Sequence, residues 1–326
     1  MQNFLEGLKL RFSQLLNQVW GLEGCPHSYY RTGFIEKLRQ IRTGNPSSQF
    51  ACPLVAFHQH IHVSRNRLPT QQALTMSNSP VFTPGNYRFV PGVFQYSAGV
   101  AAEPGFRIER VRFMKFVSLA EGFRLIEQVL KAAGRPLTAF CACELRSPKP
   151  FDEAGFEAFN KEYVGTLARW GLFDGKTNPV ARSNVCPVID APEVPGFYAF
   201  SYTVADASAA PSFVVAGSGE APEGKGNYKD HIVNLGDLSS EGLLNKARFV
   251  LAEMENRMSA LGFTWSDVTA TQLYTVHNVF PLMSKEIGQR GAMRGGLTWH
   301  LNRPPVVDLE YEMDCRGVNF ERVLAV

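Results

Sequence analysis

Hydrophobic and polar residues follow the same succession of patterns twice along this chain. A stretch with helical spacing, in which Phe123 and Ile126 share one face, ends at Gly134 and is followed by a strand-like run. The same succession recurs 128 residues later, where a second helical stretch ends at Gly262 and a strand-like run reaches Tyr274. A repeat of this length is too long for a solenoid unit, so the sequence predicts two similar small domains.

Each copy is predicted to have the element order β-β-α-β-α-β-β. In the first copy the predicted strands are Tyr87–Val100, Phe106–Val117, Phe140–Leu145, Arg182–Val188 and Gly196–Thr203, with helices from Ser118 to Gly134 and over Phe151–Trp170. The second copy has predicted strands over Ser212–Ser218, Val268–Val276, Gly296–Asn302 and Val306–Asp314, a helix that ends at Leu261 and another near Phe280–Gln289.

Several local signals refine this α+β prediction. Pro104–Gly105 forms a turn that is expected to pair the first two strands, and Ser118 with Glu121 predicts a capping box. Asp152 is expected to cap the second helix, and Ala207–Pro211 is the expected joint between the copies. One antiparallel sheet would then carry both helices of a copy on a single face, which leaves its other face free to pack against another sheet.

The predicted organisation is a helix and strand extension over 1–86, a first domain over 87–206 and a second domain over 212–326. A chain of 326 residues with 45% hydrophobic and 19% charged content is long enough for two packed cores. The net charge is only +3 and the basic residues are scattered, which argues against a nucleic-acid partner. The N-terminal 21 residues predict an amphipathic helix that packs on the protein or a partner subunit, with membrane contact as the alternative.

Two further features of the sequence predict a cytoplasmic protein. No apolar run approaches the roughly 18–20 residues that a membrane-spanning helix needs. The 6 cysteines have no framework spacing, which is typical of reduced thiols.

Ordered motifs in both copies resemble the Rid/YjgF superfamily. The first copy carries AAG, AFN, Tyr163 and PVARSNV between Ala132 and Val185, and the second carries VVAGSGEAP and RPPVVDLEYEMD. The resemblance implies tandem Rid/YjgF-like (chorismate-mutase-like) units, which close into a homotrimer or a multiple of one. It also implies hydrolysis of enamines and imines to ketones and ammonia, with no cofactor and no metal.

The family roles transfer to particular positions of this sequence. The resemblance implies a substrate carboxylate held by Arg182, near Asn184 and Asn160, and an acid–base group at Glu310 or Glu312. A planar guanidinium matches a carboxylate in two-pronged fashion, and a half-dry carboxyl can move protons. Copy two has Gly295 at the expected arginine position, and copy one has Phe197, Tyr198 and Ser201 where the acid would stand. We therefore expect one composite site, with Arg182 and Asn160 from the first copy and Glu310 together with the Ser218–Glu220 loop (Ser218 and Gly219) from the second.

The strings CPHSYYRTGF, FCACELRSP and RGGLTWHLNRPPVVDLEYEMDCRG are most similar to deaminases of 2-aminomuconate and 2-amino-5-chloromuconate. The alternatives are a chorismatase-like hydrolase and a non-catalytic tandem protein that binds a small carboxylate. A dicarboxylate substrate needs a second cation, for which Arg290 is the candidate beside Arg146, Arg294 and Arg316. His300 is a candidate proton carrier.

A metal site is the alternative reading of three histidines near the N-terminus. His58, His60 and His62 alternate as they would on a strand, which superficially suits a metal ion. Neither a carboxylate nor a cysteine cluster accompanies them in the sequence, so no metal is expected.

Overall fold

A computed structural model describes residues 79–326, which form thirteen strands and four α-helices. In chain order the strands are β1 (Val81–Phe82), β2 (Tyr87–Val90), β3 (Gly99–Ala102), β4 (Phe106–Ser118), β5 (Phe140–Arg146), β6 (Ala181–Pro187), β7 (Gly196–Ala205), β8 (Phe213–Gly219), β9 (Ala270–Tyr274), β10 (Leu297–His300), β11 (Asn302–Arg303), β12 (Glu312–Gly317) and β13 (Phe320–Leu324). The helices are α1 (Leu119–Ala132), α2 (Glu153–Arg169), α3 (Ser240–Leu261) and α4 (Phe280–Leu282), which continues as a π-helix over Met283–Gly288.

The helix ends follow the caps that the sequence predicts. The Asp152 side chain accepts a hydrogen bond from the Gly155 amide at 2.7 Å and begins α2. Ser118 accepts one from the Glu121 amide at 3.4 Å, but the Glu121 carboxylate pairs with Arg124 at 2.6 Å. The capping box predicted for α1 is therefore only half formed.

The six-stranded sheet has the spatial order β11-β6-β5-β7-β4-β13. Helices α1 and α2 supply Phe123, Ile126, Phe156 and other apolar side chains to the core that they share with β4, β5 and β7. Both helices of the first copy thus pack against one sheet, as the amphipathic patterns predict.

The seven-stranded sheet has the order β1-β2-β3-β8-β12-β9-β10. Its core is built by α3 through Val250, Leu251 and Met254, which pack with β8, β9 and β12. The left-handed Gly262, with a φ of 87°, ends α3.

Strand pairing differs from the sequence prediction in two respects. The expected pairing of the first two strands of copy one is wrong, because β2 and β3 join the seven-stranded sheet through β8 while β4 pairs with β7. The expected all-antiparallel sheets are also wrong, because β5 pairs with β6 and β9 pairs with β10 in parallel. Both sheets are therefore mixed, and the α+β class is confirmed.

The C-terminal strands also differ from their prediction. The predicted strand over Val306–Asp314 begins only at Glu312, after a turn in which Asp308 has a φ of 73°. An unpredicted strand, β13, then pairs in parallel with β4 of the other sheet. Strands of one expected domain thus pair with strands of the other. The domain boundaries themselves stay a prediction.

The two sheets contact each other through buried polar side chains. Ser183 on β6 donates a hydrogen bond to Asp314 on β12 at 2.6 Å, and Gln272 on β9 donates one to Glu144 on β5 at 3.0 Å. The face that the sequence leaves free of helices is therefore covered by the other sheet of the same chain. The homotrimer stays a prediction.

Two expectations concern membranes and metals. Across residues 79–326, no helix combines the length and apolarity that crossing a membrane requires. The same residues contain no group of three or more His, Cys, Asp or Glu side chains placed to hold a metal ion. The N-terminal amphipathic helix and the histidines at 58, 60 and 62 lie outside the described residues.

Candidate active site

Strand β6 places Arg182 and Asn184 beside an open strand edge. On its other side β6 pairs with β5, where Cys143 aligns with Arg182 and Leu145 with Asn184. Because side chains alternate along a strand, Arg182 and Asn184 project from the same face. Strand β11 covers the far end of this edge, at 186 and 187, and Ser97 forms a bridge with Ala181 at the near end, so the edge is open between them.

Arg182 is buried without a carboxylate partner. Its guanidinium lies 4.9 Å from the Tyr163 ring centroid and 5.1 Å from that of Tyr96, with Phe156 and Phe159 within 6 Å. Its Nε and Nη1 atoms have no hydrogen-bond partner within residues 79–326. A buried cation without a counter-ion is costly, so this position is prepared for an anion.

Asn184 adds a third unpartnered donor. Its Oδ1 accepts a hydrogen bond from the Ser147 hydroxyl at 3.0 Å, which leaves Nδ2 as the free end of the amide. Among the described residues no group accepts a hydrogen bond from Nδ2. The two side chains therefore present N–H donors that match the oxygens of a carboxylate.

Glu312, at the start of β12, supplies the acidic group. Its side chain is 3% exposed and lies so close to β8 that a Cβ atom at Gly217 would overlap its Oε1. Burial, with the negative charges of Asp314 and Glu220, raises the pKa of Glu312 well above its usual range. The protonated form of Glu312 is therefore favoured by its surroundings, which suits a general acid.

Arg182, Asn184 and Glu312 line one cavity, which we call the Arg182 cavity. Its walls are completed by Gly219 at the end of β8, by Tyr96, Phe156, Glu223 and Tyr228, and by apolar residues at 221, 305, 306 and 309. The volume is about 30 Å³, room for about two water molecules. Both sheets of one chain contribute to it.

The other residues of the expected substrate pocket lie around this cavity. Gly219 lines it, and the Ser218 hydroxyl donates a hydrogen bond to the Gly219 carbonyl at 3.3 Å. Asn160 is buried on α2, and its Oδ1 lacks a partner in the described part of the chain, but it is not among the lining residues.

Glu310 does not line the Arg182 cavity. Its Oε2 accepts from Arg303 at 2.7 Å and lies 2.6 Å from His277 Nε2. Glu310 and Glu312 both lie in the predicted strand Val306–Asp314, in which alternation would place them on one face, but residue 310 precedes β12 and that alternation does not apply to it. Of the two acids, the structure brings only Glu312 to Arg182.

Arg290 and His300 also lie away from the cavity. Arg290 pairs with Glu255 at 2.9 Å and with Glu286 at 3.7 Å. His300 hydrogen-bonds Gln272 at 3.1 Å and stacks on Tyr274 at 5.2 Å. Burial, with the positive charge of Arg146, lowers the pKa of His300 to about 4, so it is neutral at physiological pH.

Two of the remaining cation candidates, Arg146 and Arg316, have partners of their own. Arg146 is buried between the rings of Tyr198 and Tyr274 and aligns with Val185, which places it on the opposite face of the sheet from Arg182. Arg316 is paired with Glu321. Neither of these arginines lines the Arg182 cavity.

Sequence reasoning missed the aromatic and loop residues of the cavity. Tyr96 lies in the irregular segment between β2 and β3, and its hydroxyl donates to Glu223 at 2.9 Å. Glu223 also pairs with the buried Arg257 at 2.8 Å. Tyr228 belongs to the connection before α3, where no periodic pattern marks a contact. Only the SGE string at the start of that connection indicates a functional loop.

Similarity to known proteins indicates the family of this chain. Residues 80–322 match the family described as 2-aminomuconate deaminase CnbZ. The chain is 56% identical over 251 residues to a 2-amino-5-chloromuconate deaminase from Comamonas testosteroni, a match that covers 76% of this chain and 100% of that protein.

Similar solved structures include a chorismatase, with 12% identity and a TM-score of 0.34 over 71% of this chain and 80% of that one. The YjgF gene product of E. coli matches 33% of this chain and 80% of its own, with 16% identity and a TM-score of 0.26.

Proposed function

The chain belongs to the 2-aminomuconate deaminase CnbZ family, and from this premise we propose that it hydrolyses a 2-aminomuconate, or a chloro-substituted one, to a 2-oxo acid and ammonia. The observation that carries the proposal is the shared cavity of Arg182 and Glu312, which pairs an unpartnered buried cation with a proton-holding acid. The first binds a carboxylate and the second supplies the proton that an enamine needs. The family match favours this reading over a chorismatase-like hydrolase or a binding protein.

In the proposed reaction Glu312 is the proton carrier. Arg182 and Asn184 hold the carboxylate next to the amine-bearing carbon. Glu312 donates its proton to a carbon of the conjugated enamine, which becomes an iminium ion. The resulting Glu312 carboxylate takes a proton from water as the water oxygen adds to the iminium carbon, which gives a carbinolamine. The carbinolamine hydroxyl proton then moves to the nitrogen, which leaves as ammonia, and the 2-oxo acid remains. One water is consumed for each ammonia released.

The roles assigned to the two residues follow from their surroundings. A carboxyl with a raised pKa can both give and regain a proton near neutral pH, which is the requirement for general acid–base catalysis. The chemistry uses only proton transfer and water, so the proposal includes no cofactor. Ser147 takes part indirectly because it orients the Asn184 amide.

The experiment is to incubate the purified protein with freshly generated 2-aminomuconate and to measure ammonia together with the 2-oxo acid. Equal amounts of the two products are expected. Chorismate serves as the control substrate, and pyruvate release from it, without ammonia from the enamine, would replace this proposal with the chorismatase-like alternative. Binding of 2-aminomuconate without either product would instead indicate a carboxylate-binding protein.

A further inference from the structure

A second cavity lies directly outside the Arg182 cavity. It has a volume of about 300 Å³ and is lined by the 93–95 segment and by part of the loop before α3, including Gln95, Lys225 and Tyr228. We call it the outer groove. Tyr228 lines both spaces, and Tyr96 and Glu223 of the inner cavity adjoin Gln95, Pro222 and Gly224 of the groove in sequence. The two spaces are therefore separated by a thin wall.

That wall consists of side chains and one hydrogen bond. The Tyr96 hydroxyl donates to Glu223 at 2.9 Å, and the Tyr228 ring completes the division. The backbone amide of Tyr228 is held by the Glu153 carboxylate at 2.8 Å, whereas within residues 79–326 its hydroxyl has no hydrogen-bond partner. Tyr228 is thus the side chain that borders both spaces, and no hydrogen bond from the described residues fixes its ring in place.

The inner cavity is too small for a whole six-carbon dicarboxylate. Its 30 Å³ matches one carboxylate and the reacting carbon at most, whereas the outer groove offers ten times that space. A ligand held by Arg182 therefore has to extend beyond the cavity with its other end, and the outer groove is the neighbouring space that shares a lining residue, Tyr228, with the cavity.

The outer groove carries polar groups for that end. Gln95 is 7% exposed, and in the described part of the chain its Oε1 has no hydrogen-bond partner. Lys225 is exposed and has neither an ion pair nor a hydrogen bond to any residue from 79 to 326. Asn227, by contrast, is occupied, because its side chain forms a turn with Asp230 at 2.8 Å. The unpartnered Gln95 Oε1 is a hydrogen-bond acceptor, which does not suit a carboxylate, so Lys225 is the available group.

We propose that the outer groove binds the distal carboxylate of the substrate, the one remote from the amine, and that Lys225 selects dicarboxylates over monocarboxylates. The inference rests on the proposed function for its substrate. The reacting end lies between Arg182 and Glu312, and the conjugated chain passes along Tyr228. Lys225 touches no reacting atom, so it is a specificity residue.

The test compares two probes that share one six-carbon diene. trans,trans-Muconate has two carboxylates and sorbate has one, and calorimetry measures the affinity of the full-length protein for each. We expect the wild type to prefer muconate. Lys225→Ala should weaken muconate binding about fivefold, the scale of a partly exposed ion pair, and leave sorbate unchanged. Lys225→Arg should retain the preference, and added salt should reduce it.

Matched variants separate this inference from others. Lys229→Ala, in the same loop and outside the groove, is the control and should behave as the wild type. The inference is overturned if the wild type binds both probes equally, if Lys225→Ala weakens both equally, or if Arg146→Ala or Arg290→Ala, and not Lys225→Ala, removes the preference. The binding assay needs no turnover, so failure of ammonia release in the wild type contradicts the proposed deamination and not the groove.

Discussion

The two sheets can be compared position by position because each contains the same parallel strand pair. In the six-stranded sheet Cys143 on β5 aligns with Arg182 on β6. The equivalent of Cys143, 128 residues later, is Thr271 on β9, which aligns with Leu297 on β10. The sequence pattern predicts the second-copy equivalent of Arg182 at Gly295, which is two residues too early. The second copy thus has an aliphatic side chain where the first has its cation.

The acidic position shows the reverse. Glu312 on β12 aligns with Tyr274 on β9, whose equivalent in the first copy is Arg146 on β5. Arg146 aligns with Gly196 on β7, a residue without any side chain. The six-stranded sheet therefore carries the arginine and the seven-stranded sheet the glutamate, and both side chains line the Arg182 cavity. Duplication within one chain permits this division, which identical subunits could not achieve.

The largest effect should follow from removal of the acid. Glu312→Gln keeps the size of the side chain but cannot donate a proton and recover it, so we expect kcat for ammonia release to fall about 10²-fold or more. Steady-state kinetics with 2-aminomuconate measures this loss. A Glu312→Gln protein with near-normal kcat would mean that the acid lies elsewhere.

Removal of the cation should have an effect of similar size. We expect Arg182→Ala to lower kcat/KM by an amount equivalent to about 2–4 kcal/mol, the scale of a truncated buried charge partner. Arg182→Lys keeps the charge but loses the planar fork, so its KM should rise about tenfold. Exposed Arg124→Ala, which loses only its contact with Glu121, is the control. Equal kinetics for the Arg182→Ala and Arg124→Ala proteins would remove Arg182 from the site.

The pairing of the two halves can be tested by combining the variants. Because Arg182 and Glu312 of the same chain line one cavity, their effects on turnover should be far from multiplicative. Co-refolding of inactive Arg182→Ala and Glu312→Gln chains should restore no activity. Recovery of activity in the mixture would show that the two residues meet across a subunit boundary.

The sequence motifs indicate Arg182 as the cation and Glu310 or Glu312 as the acid, with Glu310 as the partner expected in the composite site. The structure brings Arg182 and Glu312 to one cavity, whose other lining residues were not predicted. Tyr96 could not be predicted because it depends on the transfer of the β2–β3 hairpin to the other sheet, which no local pattern encodes. Glu310 lies outside the cavity because a turn at Asp308 delays the start of the strand from the predicted Val306 to Glu312, so the alternation of side chains does not extend to residue 310.

The difference between the two neighbouring glutamates is open to a direct test. Glu310 is paired with Arg303 and His277, whereas within residues 79–326 the Glu312 side chain has no hydrogen-bond or ion-pair partner. We therefore expect Glu310→Gln to lower kcat/KM less than about fivefold, the scale of a lost ion pair near the surface. Parallel kinetics of the two Glu→Gln variants makes the comparison. A larger loss for Glu310→Gln would return that residue to the catalytic role that the sequence motif implies.

The smallest expected effect concerns stability. The folded protein keeps the Glu312 proton because burial raises the pKa, while the unfolded chain releases it near the usual pKa of a glutamate. The folded state thus binds more protons than the unfolded state. The stabilisation that Glu312 contributes to the folded protein is therefore fully present below the pKa of the unfolded chain and is lost as pH rises toward the folded pKa. Glu312→Gln removes that dependence and leaves the other buried carboxyls in place. The Tm of the variant minus that of the wild type should therefore increase from pH 5 to pH 8. A difference that is constant or decreasing over this range, measured by calorimetry, would mean that Glu312 is ionised in the folded protein and cannot serve as its general acid.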